Sequence, residues 1–283
     1  MTIKILETLN WPGGGLDAHS VKVTGDDRFG FDESARTAWV LDGATDLGPY
    51  RLFETEESDA AWIAETVNRA LMMRNPANFS DLKSFFADMF ADVRKTAAKK
   101  SRIDLEKAEK STLPIASGMW MWQAGEETHF VRLGDCIAVI CTPDGRTDVL
   151  EHKSSAERET QTSMQLNAMS PEDRIKGLRE IRAIQTTEPE HAIFGLSAHA
   201  VDNLIIETRA LPEGSHVLLM SDGLWRIVDV YDMMSASEMM DRVIDKGIQP
   251  LARDMRRHEE EAARDKSVRI KASDDACGVL IQF

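Results

Sequence analysis

Four aspartates stand where hydrophobic, strand-like runs begin or end. Asp42 closes Ala38-Trp39-Val40-Leu41, Asp135 follows Val131-Arg132-Leu133-Gly134, Asp222 follows Val217-Leu218-Leu219-Met220-Ser221, and Asp275 precedes the last apolar run. A carboxylate at the mouth of a core is costly unless it is paired or binds a metal. Most of these acids have no basic residue beside them, so the arrangement favours a hard divalent cation and argues for a metal-dependent hydrolase. Asp26-Asp27 adds two acids in a turn after Thr24-Gly25, where paired acids are commonly just solvated. A single Asp-Gly step is usually a turn as well. Two such steps at the ends of buried strands, Asp42-Gly43 and Asp222-Gly223, are harder to explain that way. Gly43 can also turn the backbone tightly enough to aim a carbonyl at a cation.

Mn²⁺ and Mg²⁺ prefer carboxylates, carbonyls and water in near-octahedral geometry. Two such ions about 4 Å apart can activate a bridging water and neutralise a phosphoryl oxygen. The covalent alternatives are missing from the sequence: no GxSxG elbow, no cysteine with a flanking arginine motif, and no GxxxxGK[ST] phosphate loop. The seven histidines are scattered without HExxH spacing, which argues against zinc.

The chain has 283 residues, enough for one large domain or two small ones, with a composition ordinary for a soluble globular protein. Its net charge of −14 argues against a nucleic-acid surface, which needs clustered Lys and Arg. No run approaches the roughly 20 apolar residues that span a bilayer, and the first residues lack the apolar core of a signal peptide. Cys136, Cys141 and Cys277 form no CxxC pair and read as reduced thiols, Cys136 and Cys277 as small core residues. The expectation is a cytoplasmic protein with no membrane or nucleic-acid partner.

Elements that could position the acids follow from periodicity. Strands are expected at 1–10, 19–24 and 36–41, then helices carrying Ala60 to Leu71 and Leu82 to Val93, the second with Ser80 as N-cap. A meander covers 115–124, 128–133, 136–142 and 147–151, with turns at Gly125, Gly134-Asp135 and Pro143-Asp144-Gly145. Strands at 203–209 and 215–221, helices at about 229–246 and 249–265, and a final strand at 277–283 complete the order. Strands and helix pairs segregate, which points to an α+β fold with antiparallel sheets. The polar stretch 152–202, with one helical candidate near 171–182, reads as an insertion over one sheet edge. The whole chain, 1–283, reads as one domain. Trp120-Met121-Trp122 alternates in a strand and reads as sheet packing.

In order and type these motifs resemble the PPM family of metal-dependent serine/threonine phosphatases, the PP2C-like group, from about Val21 to Phe283. The motifs are Lys22 before Asp26-Asp27, Asp42-Gly43 after a strand, Gly134-Asp135 in a meander, Ser221-Asp222-Gly223-Leu224-Trp225, and Asp275 before the last strand. The resemblance implies a four-layer α-β-β-α sandwich and places residues 152–202 as a flap over the site. It implies that Asp42, Asp222 and Asp275 hold one Mn²⁺ or Mg²⁺, and that Asp42, the Gly43 carbonyl and Asp26 (through water) hold a second. Asp27 would bind a metal water or orient the nucleophile, and Lys22 would meet the substrate phosphate. The implied mechanism is in-line attack by a metal-bridged hydroxide on phosphoserine or phosphothreonine, in a phosphoprotein or a phosphorylated small molecule.

The sequence departs from the family pattern at several points. Lys22 stands where Arg is usual, keeping charge but losing the bidentate fork. Asp26 is one methylene shorter than the usual Glu, Ala44 replaces a His-like acid of some members, and Ala44-Thr45-Asp46-Leu47-Gly48 replaces a glycine-rich continuation. Ala276 replaces an Asn, with Asp274 beside it. Arg226 stands where an acid usually follows, which leaves a third metal site with Asp135 open. Arg226 itself reads either as a solvated helix residue or as a fixed cation standing in for that ion, and His19 as a surface histidine or a proton donor. These departures motivate a second reading, a pseudophosphatase binding module without turnover. A haloacid-dehalogenase-type site is disfavoured, because Val40 stands where its second aspartate belongs.

Overall fold

The computed structural model describes residues 2–13, 24–54, 56–151, 169–191, 193–264 and 273–283. Lys22, His19, the strand expected at 19–24 and residues 152–168 of the expected insertion lie outside these. The chain opens with β1 (Lys4–Trp11), β2 (Arg28–Asp32) and β3 (Thr37–Gly43), then two long helices, α1 (Asp59–Met72) and α2 (Leu82–Lys100). The single meander expected next is instead two hairpins in opposite sheets: β4 (Ile115–Ala124) with β5 (Glu127–Leu133), then, after the chain crosses between sheets at Gly134-Asp135, β6 (Ile137–Cys141) with β7 (Thr147–Leu150). Helix α3 (Pro171–Thr187) and the short β8 (Phe194–Gly195) lead to β9 (Ile205–Ala210) and β10 (His216–Met220). Helices α4 (Asp222–Asp229), α5 (Ala236–Lys246) and α6 (Ile248–Arg264) precede β11 (Ala276–Gln282).

The strands form two antiparallel sheets, ordered β1-β11-β10-β6-β7 and β2-β3-β4-β5-β9, with β8 added beside β4. Successive strand side chains point to opposite faces, and in central strands such as β3 and β10 both faces are apolar. In β10, Val217 and Leu219 enter the layer between the sheets, whereas Leu218 and Met220 face helices α4 to α6. In β3, Ala38 and Val40 face the same middle layer, whereas Trp39 and Leu41 pack against α1 and α2. The α+β, four-layer α-β-β-α arrangement expected from the sequence is therefore present. Each large side chain fully buried in these layers contributes about 1.5–3 kcal/mol, and the set includes Trp39, Trp120, Phe85, Phe86 and Phe90. Trp120 and Met121 bury on opposite sides of β4, as their alternation suggests.

Three further local expectations need correction. The N-cap of α2 is Asp81 rather than Ser80: its carboxylate accepts from Ser84 N at 2.7 Å and Ser84 Oγ answers, closing a capping box. The helix expected over 229–246 begins only at Ala236 as α5, capped by Ser235, and an unforeseen helix, α4, ends at Asp229, with Asp232 at φ 47° between the two. Strand β2 was not foreseen, because Gly30 interrupts its pattern. A Cβ there would fall 2.3 Å from the Trp39 ring, so glycine is what lets that indole lie across β2 and donate to Asn68 Oδ1 at 2.8 Å. Among the described residues no helix is long and apolar enough to cross a membrane.

Candidate metal and phosphate site

The acids gather where β3 and β5 end, α4 begins and β11 starts. Glycines permit the approach. A Cβ on Gly223 would lie 1.8 Å from the Asp275 carbonyl oxygen, and one on Gly43 would lie 2.7 Å from the Asp26 carbonyl oxygen. Ser221 locks the junction: its hydroxyl accepts from Cys277 N at 3.0 Å while its own amide donates to the Cys277 carbonyl at 3.1 Å. Strand pairing sets Asp42 opposite Ser117, and Ser117 in turn touches Gly134, which brings Asp135 to the group.

Asp42 and Asp222 meet directly, carboxyl hydrogen-bonded to carboxyl. Such a bond needs a proton between them. Burial first, then the charges of Asp27 and Asp222, raise Asp42 well above the ordinary aspartate value. Burial and the charges of Asp135 and Asp274 raise Asp222 to about 7, with Arg226 pulling the other way. Asp27 is only 1% exposed, and among the described residues neither of its carboxylate oxygens makes a close hydrogen bond, the Ser221 hydroxyl being the polar group that favours its charge. Burial, then the charge of Asp275, raises it as well.

The remaining acids are turned onto protein partners. Asp275 accepts from Gly13 N at 2.5 Å and from Asp26 N at 2.6 Å. Asp26 accepts from the hydroxyl of Ser58, which also caps α1 by accepting from Ala61 N at 2.8 Å. Asp46, in the segment that replaces the glycine-rich continuation, accepts from Asp59 N at 2.8 Å and Ala60 N at 2.9 Å. It thereby ties the segment after Gly43 to the positive end of α1. Helix α3 braces the same segment from the other side, with Arg182 donating to the Thr45 carbonyl at 3.1 Å and Arg179 to that of Leu47 at 2.9 Å.

Arg226 is not a solvated helix residue. Its Nε donates to the Tyr231 hydroxyl at 3.0 Å and its guanidinium lies 5.4 Å from that ring's centre and 3.9 Å from Asp274 Oδ2. Tyr231 donates on to the buried Glu259 at 2.6 Å. Of the supports, Ser58 and Gly13 were not assigned to the site from the sequence, and Ser221 and Asp46 were named only as members of motifs. Ser58-Asp59 before a helical run is an N-cap signature that could have marked the first of them.

Among the described residues no three acid, histidine or cysteine side chains form a ready ion cage. The donor set still fits a hard cation. It holds oxygen ligands, two buried carboxylate oxygens on Asp27 without a close hydrogen bond among the described residues, and an acid pair that must share a proton. A divalent ion would relieve each of these costs.

A family profile described as protein phosphatase 2C matches residues 19–261. No curated protein sequence matches the chain. The fold is similar to the serine/threonine phosphatase of S. agalactiae, with a TM-score of 0.55 and 16% identity over 99% of each chain. The Mycobacterium tuberculosis serine/threonine phosphatase PstP/Ppp gives 0.53 and 14%, covering 100% of this chain and 99% of that one. The PstP catalytic domain in complex with two manganese ions gives 0.52 and 15%, over 99% and 98%. At these identities the structural likeness speaks for the fold, while the profile spans most of the sequence. On that match, the chain belongs to the protein phosphatase 2C family.

Proposed function

We propose that this chain is a single-domain, Mn²⁺- or Mg²⁺-dependent phosphatase acting on phosphoserine or phosphothreonine. The observation that carries the reading is Asp27, buried with neither oxygen closely hydrogen-bonded among the described residues, beside a pair of acids from opposite sheets that share a proton. Such a group destabilises a fold, so its presence is best explained by a cation. Asp42, Asp222 and Asp275 would hold one ion. Asp42, the Gly43 carbonyl and Asp26 would hold the other, with Asp135 beside them. Bound there, the ions would lower the pKa of water and neutralise phosphoryl charge.

The chain's own residues supply the rest. The proton between Asp42 and Asp222 must leave before a cation is held. Ser58 and the Gly13 and Asp26 amides orient Asp26 and Asp275. Asp27, its carboxyl raised, can hold or take up a proton next to the reacting group. Lys22, outside the described residues, is assigned to the substrate phosphate from its place in the sequence alone. The buried thiols Cys136, Cys141 and Cys277 support a cytoplasmic setting.

Hydrolysis of p-nitrophenyl phosphate with Mn²⁺, its loss in EDTA, and its loss in Asp42→Asn and Asp222→Asn are the expected results. Metal-independent turnover, or full rates in those variants, would contradict the reading. One observation favours a binding module instead: Arg226 already places a cation near Asp222 and Asp274. Mn²⁺ binding by calorimetry with no turnover on any phosphopeptide would select that alternative.

A further inference from the structure

Arg182, on α3, is a charge buried at a cost. It is 6% exposed and makes no ion pair among the described residues. Burial pulls its pKa down to about 10, with the charge of Asp46 opposing the fall. A guanidinium buried without a paired acid destabilises a fold, and an apolar side chain of similar size would fill the place more cheaply. The charge is therefore better explained by what it holds than by packing.

What it holds is the main chain beside the acids. Gly43 pairs with Ala116 at the end of β3, and the Ala44 amide donates to the Ile115 carbonyl at 3.1 Å. Beyond that bond a single guanidinium bridges the two chains. Arg182 donates to the Thr45 carbonyl at 3.1 Å and, more weakly, to the Leu113 carbonyl at 3.4 Å. The Gly43 carbonyl and the Ala44 N–H belong to one planar peptide and point in opposite directions. Fixing that N–H on Ile115 thus aims the Gly43 carbonyl away from β4. Gly43 is also wedged, since a Cβ there would lie 2.7 Å from the Asp26 carbonyl oxygen and 2.9 Å from that of Ala60. Rotation of the peptide after Gly43 is the freedom left to its carbonyl, and the Arg182 bridge sits two residues further on.

We propose that Arg182 is a positioning residue for the ion that the Gly43 carbonyl would hold: by tying Thr45 to Leu113 it keeps that carbonyl aimed as a ligand. The proposal rests on the metal-dependent reading above and adds to it a residue of α3, from the stretch 152–202. Asp46 and Arg179 hold neighbouring points of the same segment, on α1 and at the Leu47 carbonyl. Only Arg182 links the segment to the chain entering β4.

The test compares Arg182→Met, which removes the charge, with Arg182→Lys and with Lys176→Met, the same kind of change at an exposed position of α3. In EDTA, exchange of the Ala44 amide should speed about tenfold in Arg182→Met, while Tm and the protection of α3 hold. In calorimetry with Mn²⁺, that variant should keep one ion and bind the other about tenfold or more weakly. Arg182→Lys, a point charge in place of the fork, should recover part of both effects, and Lys176→Met should match the wild type. If Arg182→Met does not fold, Arg182→Lys carries the same two readouts. Unchanged exchange and unchanged Mn²⁺ affinities would overturn the proposal. So would a drop in Tm with faster exchange across α3 and equal weakening of both ions, which assigns Arg182 to packing. A wild-type chain that binds no Mn²⁺ would overturn it together with the metal-dependent reading. A wild-type chain that binds Mn²⁺ without turnover, and loses one ion in Arg182→Met, would sink the phosphatase reading and leave the positioning role standing.

Discussion

Asp42, from the end of β3, and Asp222, from the start of α4 after β10, belong to opposite sheets and share one proton between their carboxyls. The folded chain therefore holds protons that the unfolded chain releases near the ordinary value of 3.8, with Asp222 raised to about 7. Between those values the folded state binds more protons, so Asp222's contribution to stability declines as pH rises toward about 7, and Asp42, also raised, adds to the same decline. In EDTA, thermal unfolding should show a fall in stability from pH 5 to pH 7.5 that Asp222→Asn flattens. Affinity for Mn²⁺ by calorimetry should move the other way, rising through pH 7 with proton release. A wild-type chain and Asp222→Asn with the same pH profile would disprove the shared proton.

The cost of Asp27 can be read separately. Asp27→Asn removes a buried carboxylate whose oxygens make no close hydrogen bond among the described residues. In EDTA at pH 8 it should gain about 1–2 kcal/mol, or ~3 °C or more in Tm. Turnover with Mn²⁺ should fall about 100-fold or more. A variant that is less stable and fully active would show that the carboxylate serves packing and not chemistry.

Much of the fold was legible because the central strands are apolar on both faces and the helices carry one buried stripe, so the pattern located the elements. The misses share a physical cause. Gly30 breaks the β2 pattern because its partner across the strand is an indole that needs the space, a relation between positions nine residues apart that propensity does not encode. The break between α4 and α5 rests on one left-handed residue, Asp232. At the site, Asp42, Asp135, Asp222 and Asp275 were visible as acids at strand ends, and the structure brings Asp42 against Asp222. Their supports were hidden, since the Ser58 hydroxyl meets Asp26 across 32 residues and the Gly13 amide meets Asp275 across 262. Asp46 looked like a departure from a family motif, whereas the structure makes it the bridge from that loop to α1.

Gly223 tests how tightly the last acid is placed. The Cβ of alanine would sit 1.8 Å from the Asp275 carbonyl oxygen, which is backbone and cannot swing aside. Gly223→Ala should cost about 2–3 kcal/mol, read by urea unfolding. It should also weaken Mn²⁺ binding at least tenfold among the chains that remain folded at low temperature. Unchanged affinity would separate Asp275 from the ion site.

Arg226 supplies a charge that lowers Asp222, and Tyr231 holds it there. Without that charge Asp222 should keep its proton to a higher pH. Arg226→Ala should therefore shift the acid limb of the pH–rate profile upward, with turnover about tenfold down at pH 7 and partly recovered by pH 8.5. Arg226→Lys should hold the limb near its original place, because the charge remains. Tyr231→Phe should fall between the two, since the guanidinium loses its hydrogen bond but not its sign. A loss of equal size at every pH would assign Arg226 to packing against Tyr231, and unchanged turnover would remove it from the site altogether.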